Sequence, residues 1–509
     1  MIYTLEPPLP KTLTPADYER IHFNPAELPR KRIVGLLACQ RDPLLQELTT
    51  RVVSVAVSAA PPLAQKGRAK KKDKSSSSAA SSINGTGANT PAEQGKLWEV
   101  ELEDTVIFPE GGGQPWDTGV MYVTGANETH ALPIEGCVRR KLDAVHMVRV
   151  PPGASVDMAA LPGTDVRVTA HWERRMDHMA MHTGQHLLSA VLDTRELPTL
   201  SWAMPAWPST EAAYIELPRA LTWAEAAEVE GECNRRIRES VRVWIDFNMQ
   251  GDEGVDGESD RENRGIPTDY TGGVIRHCVI EGIDRNACCG TQCPDLSHVG
   301  FLHILPPSTP HAATEPSSRV PTRLYFVAGP RAVSHLALAS RWLSQAGQAI
   351  GVSRAELVPR IEKIEANRYD TDAAAKSLKA ELASLVGGAA AKSGVAWVHR
   401  AEKSTHDYDF MGMAAAVWNG GAEDGAVIVF TSALPGTSPA LLMVQGKDEA
   451  RSKSVFDALQ AALNGVDPDA GKRVKGGGAR GRFMAKVDGK WGKRETEAVQ
   501  GVVDGSARA

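Results

Sequence analysis

Residue types that bind metals gather in two stretches of this 509-residue chain. His171, His178, His182 and His186 lie close together, the last three in MDHMAMHTGQHLLSAVL. Four of the seven cysteines, Cys278, Cys288, Cys289 and Cys293, share one later stretch. Imidazole and thiolate combine well around zinc, so folding that brings the two groups together would make a tetrahedral metal site. His182 and His186 are four apart, which on a helix sends both rings out of one face toward a shared ion. Alone, such a pair is more often a surface or satisfied-core pair. NACCGTQC (286–293) shifts the balance, because Gly290 allows a tight turn that presents the neighbouring thiols. Cys288 is the preferred sulfur ligand, since adjacent cysteines rarely reach the same ion. Neither stretch carries the HExxH of a zinc protease or the paired CxxC of a zinc ribbon.

A third segment, EDTVIFPEGGGQPWDTG (103–119), sets three glycines after an expected strand. Glycine runs let backbone approach a ligand and offer N–H donors. It is neither a Walker A loop, having no GK[ST], nor a GxGxxG dinucleotide turn. A plain hairpin turn is the competing account.

The elements that must position these residues can be sketched. Apolar–polar alternation over 31–60 and 96–108, with shorter strands at VMYVTG and HMVRV, predicts a small β-barrel or sandwich. The intervening Lys- then Ser/Gly/Asn-rich stretch reads as a mobile insertion at about 65–95. From DVRVTAHW onward strands and amphipathic helices alternate, with the histidines on the first helix. We therefore expect an α+β protein: an N-terminal β-barrel (1–155), a zinc-binding α+β domain (156–305) and a Pro/Ser/Thr linker (306–321). A helical hairpin or weak coiled coil (322–390) and a C-terminal α/β module (391–509) would follow. Arg368 and Thr371 interrupt the apolar seam of the helical stretch and argue against one long coiled coil.

Composition narrows the class. No apolar run approaches the roughly 18–20 residues of a membrane span, and the first 30 residues show no apolar leader core. Seven scattered-to-clustered cysteines make no disulfide framework, so a reducing, cytoplasmic setting is expected. The net charge of -5 is a poor guide to partners, because charge is segregated. Acids collect at 252–262, whereas KRVKGGGARGRFMAKVDGKWGKR (472–494) holds nine Lys/Arg against one Asp. Such a segment can meet phosphates, with Phe483 and Trp491 available for stacking.

Four segments in order, CQRD (39–42), DTVIFPEGGGQPWDTG (104–119), WERRMDHMAMHTGQHL (172–187) and NACCGTQC (286–293), resemble the alanyl-tRNA editing family, in its long eukaryotic form, over residues 30–305. These are freestanding relatives of the alanyl-tRNA synthetase editing domain. The tail, through LYFVAG and KGGGARGRF, is more loosely similar to that synthetase's C-terminal domain. The resemblance implies a zinc-dependent hydrolase that removes serine, with glycine as a second candidate, from tRNA(Ala). It places zinc on His182, His186 and Cys288. Where the family's CxxxH motif has its histidine this chain has Gln292, so the fourth position stays open between Gln292, Cys293 and water. Thr105 is the candidate for reading the serine hydroxyl, and the Gly112 and Gly113 backbone for meeting the terminal adenosine or the oxyanion. Gln114 and Gln185 are candidate polar lining, and no carboxylate of these motifs stands out as a general base. Candidate tRNA contacts are Arg174, Arg175, Lys472, Arg473, Lys475, Arg480 and Arg482. No membrane or obligate protein partner is indicated. A non-catalytic zinc-stabilised tRNA-binding protein is the alternative. An aminoacylating enzyme is disfavoured, because the chain opens on the editing-type barrel.

Overall fold

A computed structural model describes residues 2–28, 32–59, 95–125, 128–250, 267–306, 322–394, 396–468 and 471–506. The insertion expected at 65–95, the acidic loop at 252–262 and the linker at 306–321 lie essentially outside the described residues. The chain is a mixed α+β protein and divides into two compact units, Met1–Leu343 and Ser344–Ala509.

In the first unit six strands close a barrel. Around it run Glu47–Val57, Lys96–Leu102, Asp143–Val150, Thr129–Arg140, Gly119–Thr124 and Asp165–Ala170. Alternation drives closure: Val166 and Val168 point inward beside Val52, Val100, Met121 and Val148, while Asp165 and Arg167 face out. The closing strand is DVRVTA, which its sequence texture groups with the following α+β segment. It pairs with Glu47–Val57 and Gly119–Thr124, so the barrel extends past residue 155.

Two four-stranded sheets and the helix Trp172–Asp193 form the rest of the unit. One sheet holds Val243–Met249, Val274–Ile280 and Asp284–Ala287, with Glu19–Ile21 added in parallel. The other holds Leu302–Ile304, Thr322–Ala328, Ala213–Leu217 and the edge strand Ser201–Ala203. Thr322–Ala328 thus completes a sheet of this unit before the helix Gly329–Ile350 begins. The helix Trp172–Asp193 is buried on nearly every side, as a helix packed all round must be. Gly184 allows close packing on it, because a Cβ there would lie 3.0 Å from that of Ala328.

In the second unit the helix Leu357–Lys392 runs unbroken for 36 residues. Arg368 and Thr371 do not interrupt it. Arg368 pairs with Glu365 one turn away, and the Thr371 hydroxyl donates to the Asn367 carbonyl within the helix. A five-stranded sheet follows, ordered Trp397–Arg400, Val427–Ser432, Ala440–Gly446, Arg482–Val487 and Val474–Ala479. ALLMVQG, its central strand, is buried at every residue, as expected with helices on both faces. Among the described residues no helix is long and apolar enough to cross a membrane.

Candidate metal centre

The fold brings His182, His186 and Cys288 together, with their ligand atoms all within 4.8 Å of one another and every residue buried. The two histidines occupy successive turns of the central helix, and their rings stack at 5.2 Å. Cys288 arrives just after the strand Asp284–Ala287. Its turn is pinned by Arg276, whose guanidinium donates to the carbonyls of Cys288, Gly290 and Gln40. The Gln40 side chain in turn donates to the Cys289 carbonyl. Arg41 of the same CQRD segment reaches Asp104, whose other oxygen accepts from the Ala38 and Thr105 amides. Three segments far apart in sequence are thereby locked around one turn.

The His182 ring is oriented by Gln114. His182 Nδ1–H donates to Gln114 Oε1 at 2.8 Å, which fixes the tautomer and leaves the Nε2 lone pair facing Cys288 Sγ at 3.5 Å. The Gln114 amide is itself fixed, accepting from the Thr291 amide and donating to the Thr291 hydroxyl. Space is equally constrained: a Cβ on Gly290 would sit 2.3 Å from the His182 ring. His186 has Asp284 at 3.9 Å from its Nδ1. Burial lowers the basicity of His182. At His186 burial acts the same way, but Cys288 and Asp284 outweigh it and hold the ring up at about 10. Burial raises the Cys288 thiol, yet the two imidazoles outweigh it and bring it well below its ordinary value. Two imidazole nitrogens and a thiolate sulfur in mutual reach are a donor set suited to zinc.

The other candidates have other surroundings. Gln292 lies beside the sulfur, but its amide N–H donates to Cys288 Sγ at 3.0 Å while its oxygen accepts from Thr183. It therefore braces the thiolate and turns its oxygen away. Cys293 is buried and outside the converging set; its amide donates to Thr183. Gly111 and Gln114 close a tight turn in which Gly112 and Gly113 have φ of +59° and +86°. Both Gly112 and Gly113 are exposed beside the centre. Thr105 is buried just past the end of the barrel strand Lys96–Leu102, against His146 of a neighbouring strand. His146 Nδ1–H donates to the Val100 carbonyl, so its Nε2 accepts from the Thr105 hydroxyl at 2.8 Å, and Thr105 Oγ1 accepts from the Ile107 amide. Gln185 points along its helix and donates to Ser189.

The expected tRNA contacts divide sharply. Arg174 and Arg175 are buried. Arg174 donates to the carbonyls of Trp116 and Trp207, and Arg175 forms a fully buried ion pair with Asp117. Neither presents charge to a phosphate, because segments before and after the helix in sequence cover both side chains. In the second unit Arg473 is also buried, paired with Glu495. Lys472, Lys475, Arg480 and Arg482 are exposed on or beside a hairpin turned by Arg480 and Gly481, both with positive φ. Phe483, expected to be free for stacking, is instead core, packed on Phe456 at 5.4 Å. Trp491 is half-buried and stacks on His399.

No family model matches the chain. It is similar to "Alanyl-tRNA editing protein Aarsd1" of Danio rerio, 34% identical over 299 residues, 58% of this chain and 59% of that relative's length. The Rattus norvegicus protein of the same name is 29% identical over 472 residues, 91% of this chain and 96% of the relative. "Alanyl-tRNA editing protein Aarsd1-A" of Xenopus laevis is 30% identical over 414 residues, 79% of this chain and 87% of the relative. The chain belongs to the alanyl-tRNA editing protein family.

In this family member three further side chains take part in the centre without any motif announcing them. Arg276 alone left a local trace, a charge inside the apolar strand run VIRHCVI. Asp284 and Trp202 left none. Trp202, on the edge strand, packs 4.7 Å from the His182 ring.

Proposed function

We propose that the chain is a zinc-dependent deacylase that hydrolyses the ester of seryl-tRNA(Ala), with glycyl-tRNA(Ala) as a second substrate, and so guards translation fidelity. The observation that supports it best is the convergence of His182 Nε2, His186 and Cys288 beside the glycine turn, in a chain whose relatives are named for alanyl-tRNA editing. Zinc held by those three side chains would supply Lewis acidity and an open position, the pattern of catalytic rather than structural sites. Gln114 keeps the proton of His182 on Nδ1, away from the ligand position. The Gly112 and Gly113 amides donate to the ester oxygen as negative charge builds on it. Thr105 directs its hydroxyl proton to His146, so its remaining lone pair can only accept, which suits a serine hydroxyl and offers nothing to alanine. The exposed Lys472, Lys475, Arg480 and Arg482 contact tRNA phosphates. In this reading the first unit carries the chemistry and the second holds RNA.

Gln292 in place of the family's histidine favours a second reading, a zinc-stabilised tRNA binder that does not cleave. Hydrolysis of Ser-, Gly- and Ala-charged tRNA(Ala), with and without chelator, separates the two. The deacylase reading expects loss of the seryl ester, sparing of the alanyl ester, and arrest by chelator. Binding of tRNA with the seryl ester left intact by the zinc-loaded protein would end it.

A further inference from the structure

Trp202 belongs to none of the recognised motifs, yet it forms part of the wall of the metal centre. It lies on the edge strand Ser201–Ala203, paired opposite Ile215. Its indole sits 4.7 Å from the His182 ring, the two planes inclined by 41°. It also lies directly over Gly113. A Cβ there would come within 2.7–2.9 Å of indole Cε2, Cζ2 and Nε1, so the glycine turn and the indole are fitted to each other. The side chain is half-buried, unlike the ligands behind it.

The loop that follows Trp202, residues 204–212, is held by its backbone. Arg174 Nη1 donates to the Trp207 carbonyl at 2.6 Å, and the Trp207 amide donates to His178 Nε2 at 3.0 Å. Arg331, itself paired with Asp177, donates to the carbonyls of Pro205 and Glu211. The Trp207 ring packs 4.7 Å from His171. Three buried basic side chains thus fix the loop at both ends and in the middle. An indole at the start of such a loop keeps its place before any ligand arrives.

We infer that Trp202 is the platform on which the adenine of the ester-bearing terminal nucleoside stacks. The inference rests on the deacylase reading for the identity of that nucleoside. An ester carbonyl at the ligand atoms puts its ribose within one residue's reach of the centre, and the base must then lie against the adjoining wall. On the side of Gly113 that wall is a flat indole. The polar side chains that the deacylase reading assigns to the amino acid, Thr105 and Gln114, suit a small hydroxylated group and not a purine. Stacking on an indole has no base-pair code, so the enzyme's choice of amino acid would not depend on Trp202.

The test compares wild type, Trp202→Ala and Trp202→Phe as full-length zinc-loaded protein. Calorimetric titration with adenosine gives binding without chemistry. Hydrolysis of 3′-O-seryl-adenosine and of serine methyl ester, which has no base, gives the chemistry. Trp202→Ala should weaken adenosine binding by roughly 5- to 150-fold and raise KM for the adenosine ester by that much more than for the methyl ester. Trp202→Phe should restore most of both. Equal loss on the two esters marks a merely structural residue and overturns the inference, as does unchanged adenosine affinity. Should wild type cleave neither ester while Trp202→Ala still loses adenosine, the platform stands and the deacylase reading falls. If Trp202→Ala does not fold, fluorescence decides. Adenosine should quench wild type more than Trp202→Phe, and equal quenching in two variants that both bind it overturns the inference.

Discussion

The adjacent arginines Arg174 and Arg175 of the first unit and the basic hairpin of the other unit are alike in sequence, yet their surroundings are opposite. The arginine pair sits on a helix covered on nearly every side, and its charges are taken up by Asp117 and by backbone carbonyls. On the hairpin a period of two sends Arg482 and Lys486 to solvent while Phe483, Ala485 and Val487 enter the core. A cluster of basic letters can therefore meet a phosphate only where periodicity leaves it uncovered. The same contrast separates the candidate metal ligands from their neighbours. His182, His186 and Cys288 bring donor atoms within reach of one another, whereas Gln114 holds the far nitrogen of His182, Gln292 donates to Cys288 Sγ, and Thr183 holds Gln292.

Four predictions test that division, in descending order of effect. Replacing a ligand, His182→Ala or His186→Ala, should strip the metal and abolish deacylation, with metal content and Ser-tRNA(Ala) hydrolysis measured on the same sample. Full activity in either variant would remove it from the ligand set. Arg175→Ala should cost about 3–5 kcal/mol in denaturant unfolding, because it leaves Asp117 charged and unpaired in the interior. Its folded fraction should still bind tRNA as wild type does. Arg480→Ala should do the reverse, changing unfolding by less than about 0.5 kcal/mol. It should lower the salt dependence of tRNA binding by about one unit of slope. A salt slope that responds to Arg175→Ala and ignores Arg480→Ala would invert the comparison. The last concerns an ion pair between these extremes. Glu225 is held down at about 2 by Arg219 and by its capping bonds to Thr222, against an ordinary value of 4.5. Its folded pKa is depressed, so its contribution is complete above pH 4.5 and is lost as pH falls toward 2. Thr222→Ala should cost about 1 kcal/mol at neutral pH, and the gap from wild type should narrow on acidification. A gap that stays constant down to about pH 2 would remove Glu225 from the cap.

The convergence of His182, His186 and Cys288 was legible because it depends on local rules, a four-residue helical spacing and one glycine-bearing turn. The helical texture of 357–392 was legible too, but its continuity was not. An apolar seam says little about a helix whose stability comes from propensity and from surface pairs such as Glu365 with Arg368. Barrel closure by Asp165–Ala170 is a non-local pairing, which a strand's own pattern does not announce. The direction of an amide such as that of Gln292 depends on Thr183, a residue of another element altogether. Trp202 was invisible for the same reason: only the folded chain lays it against Gly113 and His182.

The central claim is that one zinc ion on His182, His186 and Cys288 is needed to cleave the seryl ester. Zinc titrated into chelator-treated protein, with Ser-tRNA(Ala) hydrolysis followed at each step, tests it most directly. The account predicts activity rising from baseline to a plateau at one ion per chain, with no rise in His182→Ala. Undiminished hydrolysis by the metal-free protein, or zinc-restored hydrolysis in His182→Ala, would contradict it.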